Sequence, residues 1–175
     1  MGALAMAHAL GAEVSCLTEA VAEFGGVKRR QELVGEAGDV SVMDDFGHHP
    51  TAVALTLEGL STKSDRVVAV FDPRSATSRR AVFQEQYAGA FAHAAHVFIG
   101  PPYDQSRIDP ADRFSAAQLA DDLALKGIPA EHFEEHEALF WALTEQVQRG
   151  DLVVFFYSGS FCGLSRRLLS HLEKR

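Results

Sequence analysis

The sequence predicts a Rossmann-like α/β fold: a mostly parallel six-stranded sheet with helices on both faces and one antiparallel strand from an N-terminal hairpin. Three observations carry this expectation. The runs Arg66–Phe71 (RVVAVF), His96–Ile99 (HVFI) and Asp151–Tyr157 (DLVVFFY) are continuously apolar rather than alternating, so both of their faces are to be buried. Segments of helical character separate them, which is the order of a parallel sheet wound with helices. Near the N-terminus, Arg30–Val34 and Val40–Met43 are two short runs joined by Gly35-Glu36-Ala37-Gly38-Asp39, the composition of a hairpin loop.

Each element has its own signal. Residues 3–10 and 14–24 read as short helices separated by Gly11 and Ala12, and Gly25-Gly26 stops the second. A helical pair this short cannot bury its own apolar face, so 1–26 is expected to be the tail of a preceding domain and 27–175 a second domain. The helix at 50–61 opens with Pro50, a residue favoured in a first turn. Further helices are expected at 79–94, 115–126 (before Gly127), 135–148 and 164–173, with a weaker strand near 129–133. Ligands in such sheets bind beyond the carboxyl ends of the strands. The loops to watch are therefore Asp44–Pro50, Asp72–Ser78, Gly100–Ser106 and Ser158–Gly163.

Composition narrows the function classes. The chain has 175 residues, 47% apolar and 23% charged, the balance of a globular protein with a sizeable core. A net charge of −8 argues against sequence-independent binding to nucleic acid or an anionic membrane. No apolar run approaches the ~20 residues that span a bilayer, and the N-terminal stretch lacks the basic flank of a signal peptide. Cys16 and Cys162 give no disulfide framework, so a reducing, cytoplasmic setting is expected.

The run Asp44-Asp45-Phe46-Gly47-His48-His49-Pro50-Thr51 falls between a strand and a helix. Two carboxylates beside two imidazoles can accept ribose hydroxyls, bind metal or move protons. The alternative is an acidic helix cap with one buried and one exposed histidine. Zinc is disfavoured because no third ligand follows at characteristic spacing. Two other patterns mislead. Gly159–Gly163 has the frame of a nucleophile elbow, but its centre is Phe161. His132–His136 matches H-x-x-E-H, yet it straddles a strand end and a helix start, where two histidines do not share a face. No G-x-x-x-x-G-K-[ST] run is present.

DDFGHHPT resembles the entrance to the carboxy-terminal domain of Mur ligases, in particular those acting on UDP-N-acetylmuramate. Phe24-Gly25-Gly26-Val27-Lys28-Arg29-Arg30-Gln31-Glu32 resembles that family's domain junction. The resemblance covers essentially the whole chain. It implies that Arg30 contacts nucleotide and that Asp45 meets the ATP ribose. His48 and His49 then face the place where nucleotide and acceptor amine meet. Asp45 and His48 are thus candidate catalytic residues.

The loop Asp72-Pro73-Arg74-Ser75-Ala76-Thr77-Ser78 lacks the arginines that L-alanine-adding members carry at the positions of Ser75 and Ser78. It is similar instead to the branch that attaches a salvaged tripeptide, L-Ala-γ-D-Glu-meso-diaminopimelate, in cell-wall recycling. Ser158-Gly159-Ser160-Phe161-Cys162-Gly163 is similar to that branch's acceptor loop, with Ser158 and Cys162 departing from the expected Asn and Gly. The implied acceptor contacts are His49, Arg74, Ser75, Thr77, Ser158 and Ser160. The resemblance also implies ATP and Mg2+ in the full enzyme, with the phosphate-binding lysine, the metal ligands and the UDP-sugar site on domains this chain does not contain. The chain alone is then expected not to turn over. The rivals are the L-alanine-adding ligase and a non-catalytic peptide- or nucleotide-binding module.

Overall fold

The computed structural model describes residues 2–174. Its elements are α1 (Gly2–Ala9), α2 (Val14–Glu23), β1 (Glu32–Ala37), β2 (Val40–Asp45), α3 (Pro50–Ser61), β3 (Val67–Phe71), α4 (Gln84–Ala90), β4 (His96–Ile99), α5 (Ala116–Leu125), β5 (Ala130–His132), α6 (His136–Gln146), β6 (Leu152–Phe156) and α7 (Leu164–Leu172). The six strands form one sheet in the order β1-β2-β6-β3-β4-β5. Only β1 runs antiparallel, against β2, and β2, β6, β3, β4 and β5 are parallel.

The continuous apolar strands do bury both faces. Val67, Ala69 and Phe71 pack on one side with Val97, Ile99, Val154 and Phe156, under α3, α4 and α5. Val68, Val70, Phe98, Val153 and Phe155 pack on the other side, under α6 and α7. Period-two alternation therefore divides one apolar run between two cores.

Three details correct the sequence reading. The hairpin loop is not Gly35–Asp39: β1 continues to Ala37, and Gly38 and Asp39 alone make the turn, at φ 59° and 61°. Paired left-handed residues suit a two-residue hairpin, because their twist matches that of the strands. The helix expected over 79–94 shrinks to a 3-10 turn at Ala81–Phe83 and α4 at Gln84–Ala90. Arg80 is held in an isolated antiparallel bridge to Arg113, and Phe114 N–H donates to the Arg79 carbonyl. These long-range bonds keep the start of the segment extended. The cap of α3 is also not acidic, since His49 Nδ1 accepts from Thr51 N–H at 3.3 Å.

Helices α1 and α2 contribute no buried residue. Met6, Val14 and Val21 are exposed on them, and Leu10 and Phe24 are exposed just past their ends.

Candidate functional site

The register of the strands sets the site. Asp45, Phe156 and Phe71 are paired across β2, β6 and β3, and Phe71 is paired with Ile99 of β4. Four loops therefore leave the sheet at one height, starting at Phe46, Tyr157, Asp72 and Gly100. The chain crosses from β5 back to β6, so β6 lies between β2 and β3. The segment after β3 leads to the helices on one face and the segment after β6 to α7 on the other. The crevice between two such strands is where ligands bind in open α/β sheets.

The nucleotide-side candidates sit on β2 and the junction before β1. Asp45 is 4% exposed. Its Oδ2 accepts from Gln31 N–H at 2.9 Å and its Oδ1 from Gly47 N–H at 2.5 Å. The carboxylate staples the junction to the loop that carries the histidines. Arg30 is exposed beside it, its guanidinium 5.1 Å from the centre of the Phe46 ring. Among the described residues Arg30 has no carboxylate partner, which leaves its charge available to an incoming anion. His48 is half-buried, with Nδ1 3.0 Å from the Phe46 carbonyl, and its own carbonyl accepts from the Tyr87 hydroxyl. The His49 ring meets Phe83 edge-on at 4.6 Å. The two histidines are thus held differently, one by the loop and one by the helix start.

The acceptor-side candidates converge from two strands. Arg74 reaches so close to Gly159 that a Cβ there would collide with its Cδ and Nε. Its guanidinium lies 3.9 Å from the Tyr103 ring centre, and Tyr103 N–H donates to the Pro73 carbonyl. Arg74 is thereby placed in the mouth among the loops after β3, β4 and β6. Ser158 is half-buried, and Ser160 and Thr77 are exposed.

Ser75 is engaged differently from the expectation. Its N–H donates to Ser78 Oγ, its Oγ receives Ser78 N–H, and the two hydroxyls bond to each other at 2.8 Å. Ser78 is fully buried. The pair closes the turn, so the room that these small residues leave comes from their folding inward.

Four residues of the mouth escaped the sequence reading. Asp72 is 2% exposed and its Oδ2 has no hydrogen-bond partner. Burial raises its carboxyl to about 6, against the opposing charge of Arg74. Its signal was its place immediately after a fully apolar strand. His136, considered only as part of a metal pattern, lies near Arg74 and edge-on to Phe161 at 5.4 Å. Burial and then the Arg74 charge lower its pKa. The Tyr157 hydroxyl donates to Asp44 Oδ2 at 2.6 Å and is pushed up to about 12, by burial first and then by Asp44. Arg29, adjacent to the expected Arg30, spans the two sides of the site. Among the described residues, no three His, Cys, Asp or Glu side chains converge as metal ligands. No helix among them is long and apolar enough to cross a membrane.

Comparison with known proteins agrees with this fold. The family model for the Mur ligase glutamate ligase domain matches residues 29–159. A UDP-N-acetylmuramate–L-alanine ligase of Mycolicibacterium gilvum is 33% identical over 180 residues, covering 100% of this chain and 37% of the relative. The chain thus spans little more than a third of that relative's length. A murein peptide ligase from Psychrobacter arcticus superposes with a TM-score of 0.72 at 28% identity, covering 99% of this chain and 36% of that one. A single crystallised domain from Haemophilus ducreyi, described as belonging to a UDP-N-acetylmuramate:L-alanyl-γ-D-glutamyl-meso-diaminopimelate ligase, superposes with a TM-score of 0.65 at 26% identity, covering 82% of this chain and 99% of the domain. The chain belongs to the Mur ligase family, residues 29–159 forming the part that matches its glutamate ligase domain.

Proposed function

We propose that this domain serves an ATP-dependent ligase that joins an amine-bearing acceptor to UDP-N-acetylmuramate, with the tripeptide L-Ala-γ-D-Glu-meso-diaminopimelate as acceptor. The observation that carries the reading is the convergence of a nucleotide side (Arg30, Asp45) and an acceptor side (Arg74, Gly159, Ser160) on one crevice. In such a ligase ATP converts the muramyl carboxylate to an acyl phosphate, which the acceptor amine attacks. Mg2+, when bound, neutralises phosphate charge, and its ligands are expected on the domains outside this chain.

The residues present fit a nucleotide. Arg30 offers an exposed guanidinium with no carboxylate partner among the described residues, suited to a phosphate oxygen. Asp45, oriented by two backbone N–H groups, has lone pairs left for a ribose hydroxyl. Arg74, stacked on Tyr103, presents its fork to an acceptor carboxylate, and Ser158, Ser160 and Thr77 line the same mouth. His48 and His49 stand at the edge between the two sides. The contribution of this domain is to close over ATP and hold the amine near the acyl carbon, a proximity effect. The exposed apolar face of α1 and α2 is read as the tail of a preceding domain, against which it would be buried.

The inward-folded Ser75 and Ser78 support the longer acceptor, because no arginine fills the turn. The 33% identity to an L-alanine ligase supports the shorter one. The test expresses the longest polypeptide that the chain's own gene encodes. Phosphate release is then measured with ATP, Mg2+ and UDP-N-acetylmuramate, adding either tripeptide or L-alanine. Release with tripeptide alone supports the recycling reading. Release with L-alanine alone moves the assignment to the biosynthetic ligase, and release with neither, from a polypeptide that includes the further domains, removes the ligase proposal.

A further inference from the structure

We propose that Arg29 is a positioning residue that couples the nucleotide side of the crevice to the acceptor loop, so that occupancy of one orders the other. The inference rests on the ligase reading for what occupies each side, but its geometry stands independently. Arg29 is part of the junction that places Arg30, and its backbone is tied at both ends. Its N–H donates to Glu32 Oε2 at 2.6 Å, and its carbonyl accepts from Phe46 N–H at 2.7 Å. It holds a left-handed conformation, φ 58°, as does Gln31 at 51°. Such residues persist only where surrounding bonds enforce them.

The side chain then crosses to the acceptor loop. One terminal nitrogen donates to the Gly159 carbonyl at 2.5 Å and lies 3.4 Å from that of Tyr157. The guanidinium sits 4.3 Å from the Tyr157 ring centre and 5.4 Å from that of Phe46. Tyr157 is itself anchored, its N–H to the Asp45 carbonyl and its hydroxyl to buried Asp44. Arg29 therefore touches the loop that Asp45 orients and also the loop that meets Arg74 at Gly159. When a nucleotide pulls on Arg30 or Asp45, the neighbouring guanidinium moves the carbonyls of Tyr157 and Gly159. Only a planar cation can stack on two rings and donate along its edge at once, so lysine is not equivalent here.

The test compares wild type with Arg29→Lys. In the 175-residue chain, hydrogen exchange is followed in peptides covering 157–163 and, as an internal control, β3. The expected result is about tenfold faster exchange in 157–163 with β3 unchanged. In the longer polypeptide, the acceptor Kd (tripeptide and L-alanine in separate titrations) is measured with and without ADP. The ADP effect is expected to fall towards one in the variant. Tyr157→Leu, which removes the stacking surface and keeps the arginine, should loosen the same loop. Unchanged exchange in 157–163, a rise that extends to β3, or an undiminished ADP effect would each overturn the coupling. If the loop loosens while wild type ligates neither acceptor, the latch stands and the ligase reading fails.

Discussion

Cys162 occupies a left-handed conformation, φ 51° and ψ 21°, between Phe161 at φ 43° and Gly163 at φ 66°. That region costs a non-glycine residue about 1–2 kcal/mol, partly offset by the extra unfolded-state freedom of glycine. Cys162→Gly is therefore expected to stabilise the chain by about 0.5–1 kcal/mol, raising Tm by ~2 °C in a thermal melt. Asp72 bears on pH. Its folded pKa, about 6, lies above the unfolded value, so its contribution to stability is full below pH ~4 and is lost as pH rises through ~6. Asp72→Asn should then gain about 1–3 kcal/mol at pH 8 and little at pH 3.5, read from denaturant midpoints at the two pH values. A destabilised variant at pH 8 would show that the charged form is needed by the fold. At Gly159, a methyl group displaces Arg74 from Tyr103. Gly159→Ala should raise the acceptor KM about tenfold in the longer polypeptide, with the ATP KM nearly unchanged.

At the scale of elements, the two ends of the sheet are held by different devices. The carboxyl ends are stapled by Asp45 and by the Tyr157–Asp44 bond. The opposite ends of β3 and β6 are tied by Arg66 and Asp151, whose carboxylate is 1% exposed and also accepts from Gln148 N–H. Leaving one member of a buried pair alone is costly. Arg66→Ala should destabilise the domain by about 2–4 kcal/mol while leaving acceptor and ATP KM values unaltered, because the pair lies across the sheet from the crevice. A changed KM would mean that strain passes along β3 to Asp72. The short α4 belongs to this scale too. The bridge from Arg80 to Arg113 takes up residues that local propensity assigns to helix, since a long-range bond outweighs a few tenths of a kcal/mol of preference per residue.

Considered as a whole, the molecule is a two-core sandwich about one sheet, with α1 and α2 outside both cores. Removing residues 1–24 should leave Tm within ~2 °C, because no residue of α1 or α2 is buried. A larger loss, read by differential scanning calorimetry, would show that the pair packs on the sheet domain in solution. The chain alone is expected to release no phosphate from ATP in the presence of UDP-N-acetylmuramate and either acceptor.

Fold class, strand count and the four loops at the carboxyl ends of the strands were legible in the sequence because they follow from local pattern. Continuous apolar runs specify buried parallel strands, and loops after such strands specify where a ligand goes. DDFGHHPT and the junction at Arg30 were legible for the same reason, as contiguous motifs. Tertiary structure decided what contiguity cannot show. It placed β6 between β2 and β3, which set Tyr157 beside Asp44 and Gly159 against Arg74 across more than eighty residues of chain. It turned Ser75 and Ser78 towards each other and gave the helix cap to His49. It buried Asp72 without a partner for Oδ2, and it made Arg29 rather than its neighbour the side chain that spans the crevice. Adjacent arginines read alike in sequence, and only the fold, with Arg29 at φ 58° and Gln31 at 51°, turns one onto the Gly159 carbonyl and leaves the other exposed.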